Sequence, residues 1–221
     1  MSFDSFVKSD YIEGFNRRKT SLSIPRSKDF GLNMDVLNRL MTNGSKVLDF
    51  GCGNSSLGFL GYNSQRDITV FGLDRDKNNK AAMYHDLGNI NDFFDTIIFS
   101  HVLEHCQFNE WEEILLWAHE KCKRIIICLP NTDNVFVSSM FYKDVTHVKP
   151  LDNDDFIYYV EKLGYKLKHI TVCSLGDHCS KRYIPARFLF AVLTGTSPFC
   201  NKIYVLEVTK DLKTDPPSLC Q

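Results

Sequence analysis

The chain is as informative in what it lacks as in what it holds. No uninterrupted apolar run reaches the roughly 18 residues that a membrane-spanning helix needs, so any membrane contact is expected to be peripheral. None of the eight cysteines forms a CxxC pair, which removes the usual zinc frameworks and the thioredoxin-type redox motif. No apolar segment follows a basic start, so the N-terminus does not read as a secretion signal and the thiols read as free in a reducing, cytoplasmic setting. There is no excess of either charge, with 26 Lys and Arg against 27 Asp and Glu. That balance gives no support to a protein built to neutralise a phosphate backbone, and nucleic acid is a disfavoured partner. Internal repeats and low-complexity blocks are also missing.

What remains is an ordinary globular composition, 43% hydrophobic and 24% charged, in 221 residues, a length that fits one large core. Residues 1–30 are polar, mixed in charge and broken by Pro25, and are expected to form an arm or lid. Residues 31–210 are expected to form the domain, and 211–221, with Pro216-Pro217, a flexible tail. Leu32, Val36, Leu37 and Leu40 recur at helical spacing before an Asn43-Gly44 stop. Short β-rich runs then follow at Lys46–Phe50, Ile68–Leu73, Thr96–Ser100 and Arg124–Leu129, separated by helical or turn-rich stretches, as a parallel sheet requires. The clearest crossover is Asn109–Lys121, where Trp111, Ile114, Leu115 and Ala118 share one face and Glu112, Glu113 and Glu120 are expected to face water. A second helix is predicted over Asn153–Leu163, between a capping Asp152 and Gly164, and strands over Tyr165–Cys173 and Lys202–Val208. The expected fold is α/β: a seven-stranded, mostly parallel sheet with helices on both faces and an antiparallel last strand.

Two motifs carry the chemistry. Val47-Leu48-Asp49-Phe50-Gly51-Cys52-Gly53 is a buried strand running into a glycine turn, which brings bare backbone to the carboxyl edge of the sheet, where ligands of this architecture bind. Val70-Phe71-Gly72-Leu73-Asp74 ends a second apolar strand in an acid, and a carboxylate there can accept both hydroxyls of a ribose. A nicotinamide-type fingerprint would continue with a third glycine, but that position is Ser56.

With Tyr84-His85-Asp86-Leu87 and the run Phe94 to His105 following in order, the chain resembles the class I (Rossmann-like) S-adenosylmethionine-dependent methyltransferases across about residues 31–173. The resemblance implies that S-adenosyl-L-methionine is the cofactor, held by Asp49, Gly51, Cys52, Gly53, Asp74 and Arg75. It further implies that Asp86 meets the adenine amino group with Leu87 beside it, and that Ser100 and His101 line the methionine moiety. Leu129-Pro130-Asn131 matches the end of the family's fifth strand, and His147 a frequent histidine before the following helix.

The sulfonium of such a cofactor is already electrophilic, so the protein has chiefly to hold an acceptor in line with the methyl carbon. A hydroxyl acceptor is helped by a base, and histidine suits neutral pH; His147 is the first choice and His105 the second. His101-x-x-Glu104-His105 copies an inverted zinc-protease spacing, but that motif needs one long helix and here a strand comes directly before it. Small-RNA 2′-O-methyltransferases resemble the same region through an acid, Glu-His and a distant His around a divalent ion; here His101 replaces the first acid, and no metal ligand is assigned. The stretch between the last two strands, with Arg182, Tyr183, Arg187, Phe188, Leu189 and Phe190, is expected to shape the acceptor side, for a lipid-linked or phosphorylated sugar, or to bury a homodimer face. The expected reaction is O-methylation of a sugar or other small-molecule hydroxyl. The competing readings are a metal-assisted RNA 2′-O-methyltransferase and a methyltransferase-like subunit that only binds a partner.

Overall fold

A computed structural model describes residues 36–37, 39–53, 67–134, 137–138, 141–142, 144, 146–148, 153–173, 188–189, 191–193, 199 and 201–209. The proposed arm 1–30 and tail 211–221 lie outside the described residues, as do Arg182, Tyr183, Arg187 and Phe190.

Six strands form one sheet: β1 (Ser45–Phe50), β2 (Ile68–Leu73), β3 (Phe94–Ser100), β4 (Cys122–Pro130), β5 (Tyr165–Cys173) and β6 (Asn201–Val208), in the order β2-β1-β3-β4-β6-β5. The first four run parallel, and β6 is antiparallel to both β4 and β5. Six strands among the described residues correct the expected seven. Beyond β2 the sheet edge continues only as a single parallel bridge, Leu73 to Tyr84. Each of the six β-rich runs read from the sequence has its strand, and Asp76 to Lys80, which follows β2, is a run of turn-forming and charged residues with no β-branched stretch to sustain a ladder.

The strands are near-continuous apolar runs because both of their faces are covered, and the two-residue period sorts their side chains between two cores. Leu48, Phe50, Ile97, Phe99, Ile125 and Ile127 pack on one side with helices α1 (Phe108–Lys121) and α2 (Asn153–Lys162). Val47, Ile98, Ile126 and Cys128 pack on the other with Leu37 and Met41, from the helical stretch that ends before the left-handed Gly44.

Helix α1 begins one residue earlier than expected, since Gln107 caps it: the Gln107 N–H donates to the Glu110 carboxylate at 2.5 Å, and the Gln107 side chain accepts in return. Its predicted face is the one buried, Trp111, Ile114, Leu115 and Ala118. Trp111 also donates Nε1–H to the Leu103 carbonyl at 2.6 Å, which ties α1 to the turn after β3. Glu112 and Glu113 are half-buried and not fully in water; Glu120 is exposed. Gly164 ends α2 in the left-handed region at φ 83°, and at helical spacing Phe156, Val160 and Leu163 are buried and Ile157 is half-buried.

Strand order reverses between β1 and β3, so the chain leaves the carboxyl ends of these neighbours in opposite directions. Crevices open at such reversals in open α/β sheets.

Candidate active site

The glycine turn follows β1 directly. Gly51 and Gly53 both adopt left-handed backbone, φ 68° and 56°, which side chains with a Cβ resist. The turn folds back on the end of β2: the Gly51 and Cys52 N–H groups both donate to the Leu73 carbonyl, at 2.8 and 3.0 Å. Its two glycines do different work. A Cβ on Gly51 would lie 2.7 Å from Cγ2 of Val102, whereas one on Gly53 would meet nothing within 4 Å. Gly51 is thus required by packing against the residues after β3, and the open approach to bare backbone belongs to Gly53.

Asp74 stands at the end of β2 with both carboxylate oxygens accepting backbone N–H groups, Oδ2 from Gly53 at 2.8 Å and Oδ1 from Asp76 at 2.9 Å. Each oxygen keeps lone-pair capacity for a further donor. Asp49 is buried at 3% exposure in β1, in register with Gly72 and Ile98. Burial first, then the negative charges of Asp49 and Asp74, pushes the Cys52 thiol up to about 12, so this sulfur stays a neutral thiol. Asn79, which sequence reasoning missed, donates its amide to the Gly53 carbonyl and locks the turn from above. Its place in a polar run among Asx-turn residues was the available signal. Arg75 is half-buried, and its charge is felt by Cys106 and Glu110 on the α1 side.

The bridge from Leu73 to Tyr84, with Asp74 N–H donating to the Tyr84 carbonyl at 3.0 Å and His85 Nδ1 2.7 Å from the Asp74 carbonyl oxygen, brings Asp86 to the same edge. Asp86 is exposed and caps the one-turn 3-10 helix Leu87–Asn89, accepting from the Gly88 N–H at 2.8 Å; Leu87 is half-buried.

The second half of the site is built from side chains. Ser100 ends β3, and His101 follows in a left-handed conformation, φ 57°, that non-glycine residues rarely take. This turns the imidazole between two partners, Nδ1 3.0 Å from Glu104 Oε1 and Nε2 3.6 Å from the Cys128 sulfur. Burial opposes a charge on this ring, but Cys128 and the Glu104 carboxylate outweigh it and raise His101 well above the ordinary imidazole value. The 3-10 turn Leu103–His105 carries Glu104, buried at 3% exposure; its carboxyl is held below the usual range because the His101 contact overcomes the burial that would raise it. Oε2 of Glu104 is buried with no hydrogen-bond partner.

His105 and His147, 42 residues apart in sequence, meet with ring centroids 4.7 Å apart. His147 Nδ1 lies 3.1 Å from the Phe141 carbonyl oxygen, which fixes Nδ1 as the protonated nitrogen and leaves Nε2 with the lone pair. Thr146 Oγ1 donates to Asp144 at 2.6 Å and lies 3.0 Å from His105 Nδ1, so the same tautomer is set on His105. Burial lowers the His105 pKa, and its neighbour His147 lowers it further against the pull of Glu104. Ligand atoms of Glu104, His105 and His147 all lie within 4.8 Å of one another. Sequence reasoning had both histidines but missed Asp144 and Thr146, whose spacing before His147 was the clue. A cleft lined by Glu104, Leu129, Pro130, Phe141, Lys202 and Tyr204 opens beside them.

A parallel sheet with a glycine turn and a strand-terminal acid at its switch point is the Rossmann-like methyltransferase arrangement. Residues 26–179 match the methyltransferase domain family model, which is more than half of the sequence, and the chain belongs to that family. Solved structures share the fold. A SAM-dependent methyltransferase from Archaeoglobus fulgidus is 22% identical over 80% of this chain and 94% of its own, with a TM-score of 0.61. The 1,6-didemethyltoxoflavin-N1-methyltransferase of Burkholderia thailandensis, with bound 1,6-didemethyltoxoflavin and S-adenosylhomocysteine, is 9% identical over 91% of this chain and 87% of its own, TM-score 0.62. Magnesium protoporphyrin IX methyltransferase from Synechocystis, with bound SAH, is 15% identical over 80% and 82%, TM-score 0.53. No curated protein sequence matches the chain.

Proposed function

We propose that this methyltransferase uses S-adenosyl-L-methionine to methylate a hydroxyl on a sugar or other small molecule, the cofactor lying along the carboxyl edge from Asp86 to His101. The observation that carries the reading is the open, left-handed backbone of Gly53 held beside the Asp74 carboxylate. A nucleoside can approach that backbone closely while its ribose hydroxyls donate to the unused lone pairs of Asp74. The bound cofactor supplies an activated methyl group; the chain's own task is to bind, orient and exclude water.

In this reading Asp49, Gly51 and Cys52 shape the turn, Arg75, Asp86 and Leu87 bound the adenosyl end, and Ser100 and His101 bound the methionine end. His147 and His105 stand on the acceptor side, each with Nδ1 committed to an oxygen. A lone pair on Nε2 is what a base needs to take a hydroxyl proton as the new O–C bond forms. Calorimetry with S-adenosylhomocysteine tests the cofactor claim: binding by the wild type and its loss in Gly53→Val are expected, and a wild type that does not bind overturns it.

A second reading is favoured by one observation, the buried, unpartnered Oε2 of Glu104 next to the two histidines. The donor set of two imidazoles and one carboxylate suits a divalent transition ion better than magnesium or calcium, and carbonyl or hydroxyl partners on Nδ1 are the usual supports of metal-bound histidine. Glu104, His105 and His147 would hold such an ion, which would lower the pKa of an acceptor hydroxyl. Titration with Zn2+ checks this: binding that Glu104→Gln removes supports it, and no binding returns the histidines to the role of bases.

A further inference from the structure

Residues 188–189 and 191–193, between β5 and β6, are helical, and their outer face is apolar and exposed among the described residues. Phe188 is 40% exposed, Leu189 61%, Val192 78% and Leu193 75%, whereas Ala191 is buried. At 100° per residue the four exposed side chains fall within one arc of about 140°, with Ala191 on the other side. Single exposed aliphatics are common on protein surfaces, but four large ones in a turn and a half make a patch.

Charge distinguishes what this patch fits. From His178 to Leu206 the sequence contains no Asp or Glu and holds Lys181, Arg182, Arg187 and Lys202, which leaves 22 basic against 27 acidic residues in the rest of the chain. A near-neutral protein therefore concentrates basic charge in the stretch of sequence that carries its exposed apolar helix, with Arg187 next to Phe188. Lys202 is spoken for by Asp133 at 2.5 Å. Pairing of the patch with a second copy would lay one acid-free basic segment against another, which like-charge repulsion opposes. RNA would use the cations, but it gains little from leucine and valine, since bases stack on aromatic or guanidinium planes. A bilayer surface with anionic headgroups satisfies both features at once, with apolar side chains at the acyl boundary and cations at the headgroups.

We infer that this methyltransferase docks peripherally on an anionic membrane surface through Phe188, Leu189, Val192 and Leu193. The docked helix is tied to the candidate site: the Phe188 ring lies against Phe199 with centroids 6.0 Å apart, and the Phe199 carbonyl accepts from Asn131 Nδ2 at 2.8 Å. Asn131 directly follows Pro130, which lines the cleft with Glu104. Docking on this face brings the cleft close to the interface, where a hydroxyl on a lipid-linked molecule would be presented. That consequence for the acceptor rests on the methyl-transfer reading above; the docking itself does not.

The test is co-sedimentation of the full chain with phosphatidylcholine vesicles, with and without phosphatidylglycerol. Binding is expected to the anionic vesicles only, to weaken with added salt, and to fall about tenfold or more in V192E/L193E, whose exposed positions leave thermal melting unchanged. As a second measurement, Val192→Trp should show a blue-shifted emission on anionic vesicles. Three outcomes overturn the inference: no vesicle binding by the wild type; binding that V192E/L193E leaves intact; or a dimer, or an oligouridine complex, that V192E/L193E abolishes while vesicles are ignored. S-adenosylhomocysteine binding, measured separately, reports on the cofactor site alone.

Discussion

The two halves of the active site are held together by different means. On the cofactor side, backbone N–H groups do most of the fastening: the Leu73 carbonyl accepts two from the glycine turn, the Tyr84 carbonyl accepts that of Asp74, and one side chain, the Asp74 carboxylate, accepts those of Gly53 and Asp76. On the acceptor side almost everything is side chain. Glu104, His101 and Cys128 form one chain of contacts, and His105, Thr146 and Asp144 another, across up to 41 residues of sequence. Backbone fastening tolerates change in side chains but not in conformation, and the side-chain half has the opposite sensitivity. The half proposed to hold the cofactor is accordingly a fixed cradle, while the half proposed to face the acceptor can be retuned residue by residue.

Substitutions can break or sharpen this contrast, and the largest effect is expected at Gly51. Gly51→Val combines a left-handed backbone with a Cβ 2.7 Å from Val102, so strain and overpacking should cost about 2–5 kcal/mol. Thermal melting should fall steeply, and an unchanged melting point would show that the turn can move away from Val102. Gly53→Val has open space around it and should retain most of its stability, losing about 1–2 kcal/mol to backbone strain while S-adenosylhomocysteine binding disappears. Equal behaviour of the two variants would erase the distinction between packing glycine and ligand glycine.

On the side-chain half, His147→Ala should abolish most turnover with little change in cofactor affinity, read by kcat against a calorimetric Kd. Retained turnover would remove His147 from the mechanism. Back on the cofactor half, Asp74→Ala should weaken cofactor binding by about 1–3 kcal/mol, because ribose hydroxyls and the Gly53 N–H lose their acceptor together; an unchanged Kd would place the ribose elsewhere. The smallest effect concerns pH. Because burial lowers the His105 pKa, this ring stays neutral to a lower pH than a free imidazole. If His105 serves as a base, kcat/KM should hold through neutrality and fall only below about pH 6.5. An acid limb centred above pH 7 would point to a different group.

The cofactor half was legible in the sequence for the same reason that it is backbone-built. Local motifs such as Gly51-Cys52-Gly53 and a strand-final Asp74 encode conformation within a few residues. The helices were legible through their periodic faces, Trp111 to Ala118 and Phe156 to Leu163. The six strands were legible as β-rich runs, whereas the single bridge from Leu73 to Tyr84 was not, since the polar stretch after Asp74 carries no β pattern. The different work of Gly51 and Gly53 was hidden too, because only the folded chain brings Val102 against the first of them.

Order along the chain, the alternation of β-rich runs with amphipathic helices, and the glycine turn with its strand-final acid were determined by the sequence itself, through local conformational preference and period. Tertiary structure alone decided that His101 turns left-handed onto Glu104 and Cys128, and that Thr146 and Asp144 set the His105 tautomer. It also brought His147 within ring contact of His105. Such pairings depend on where loops cross in space, and no periodicity in one segment records the position of another.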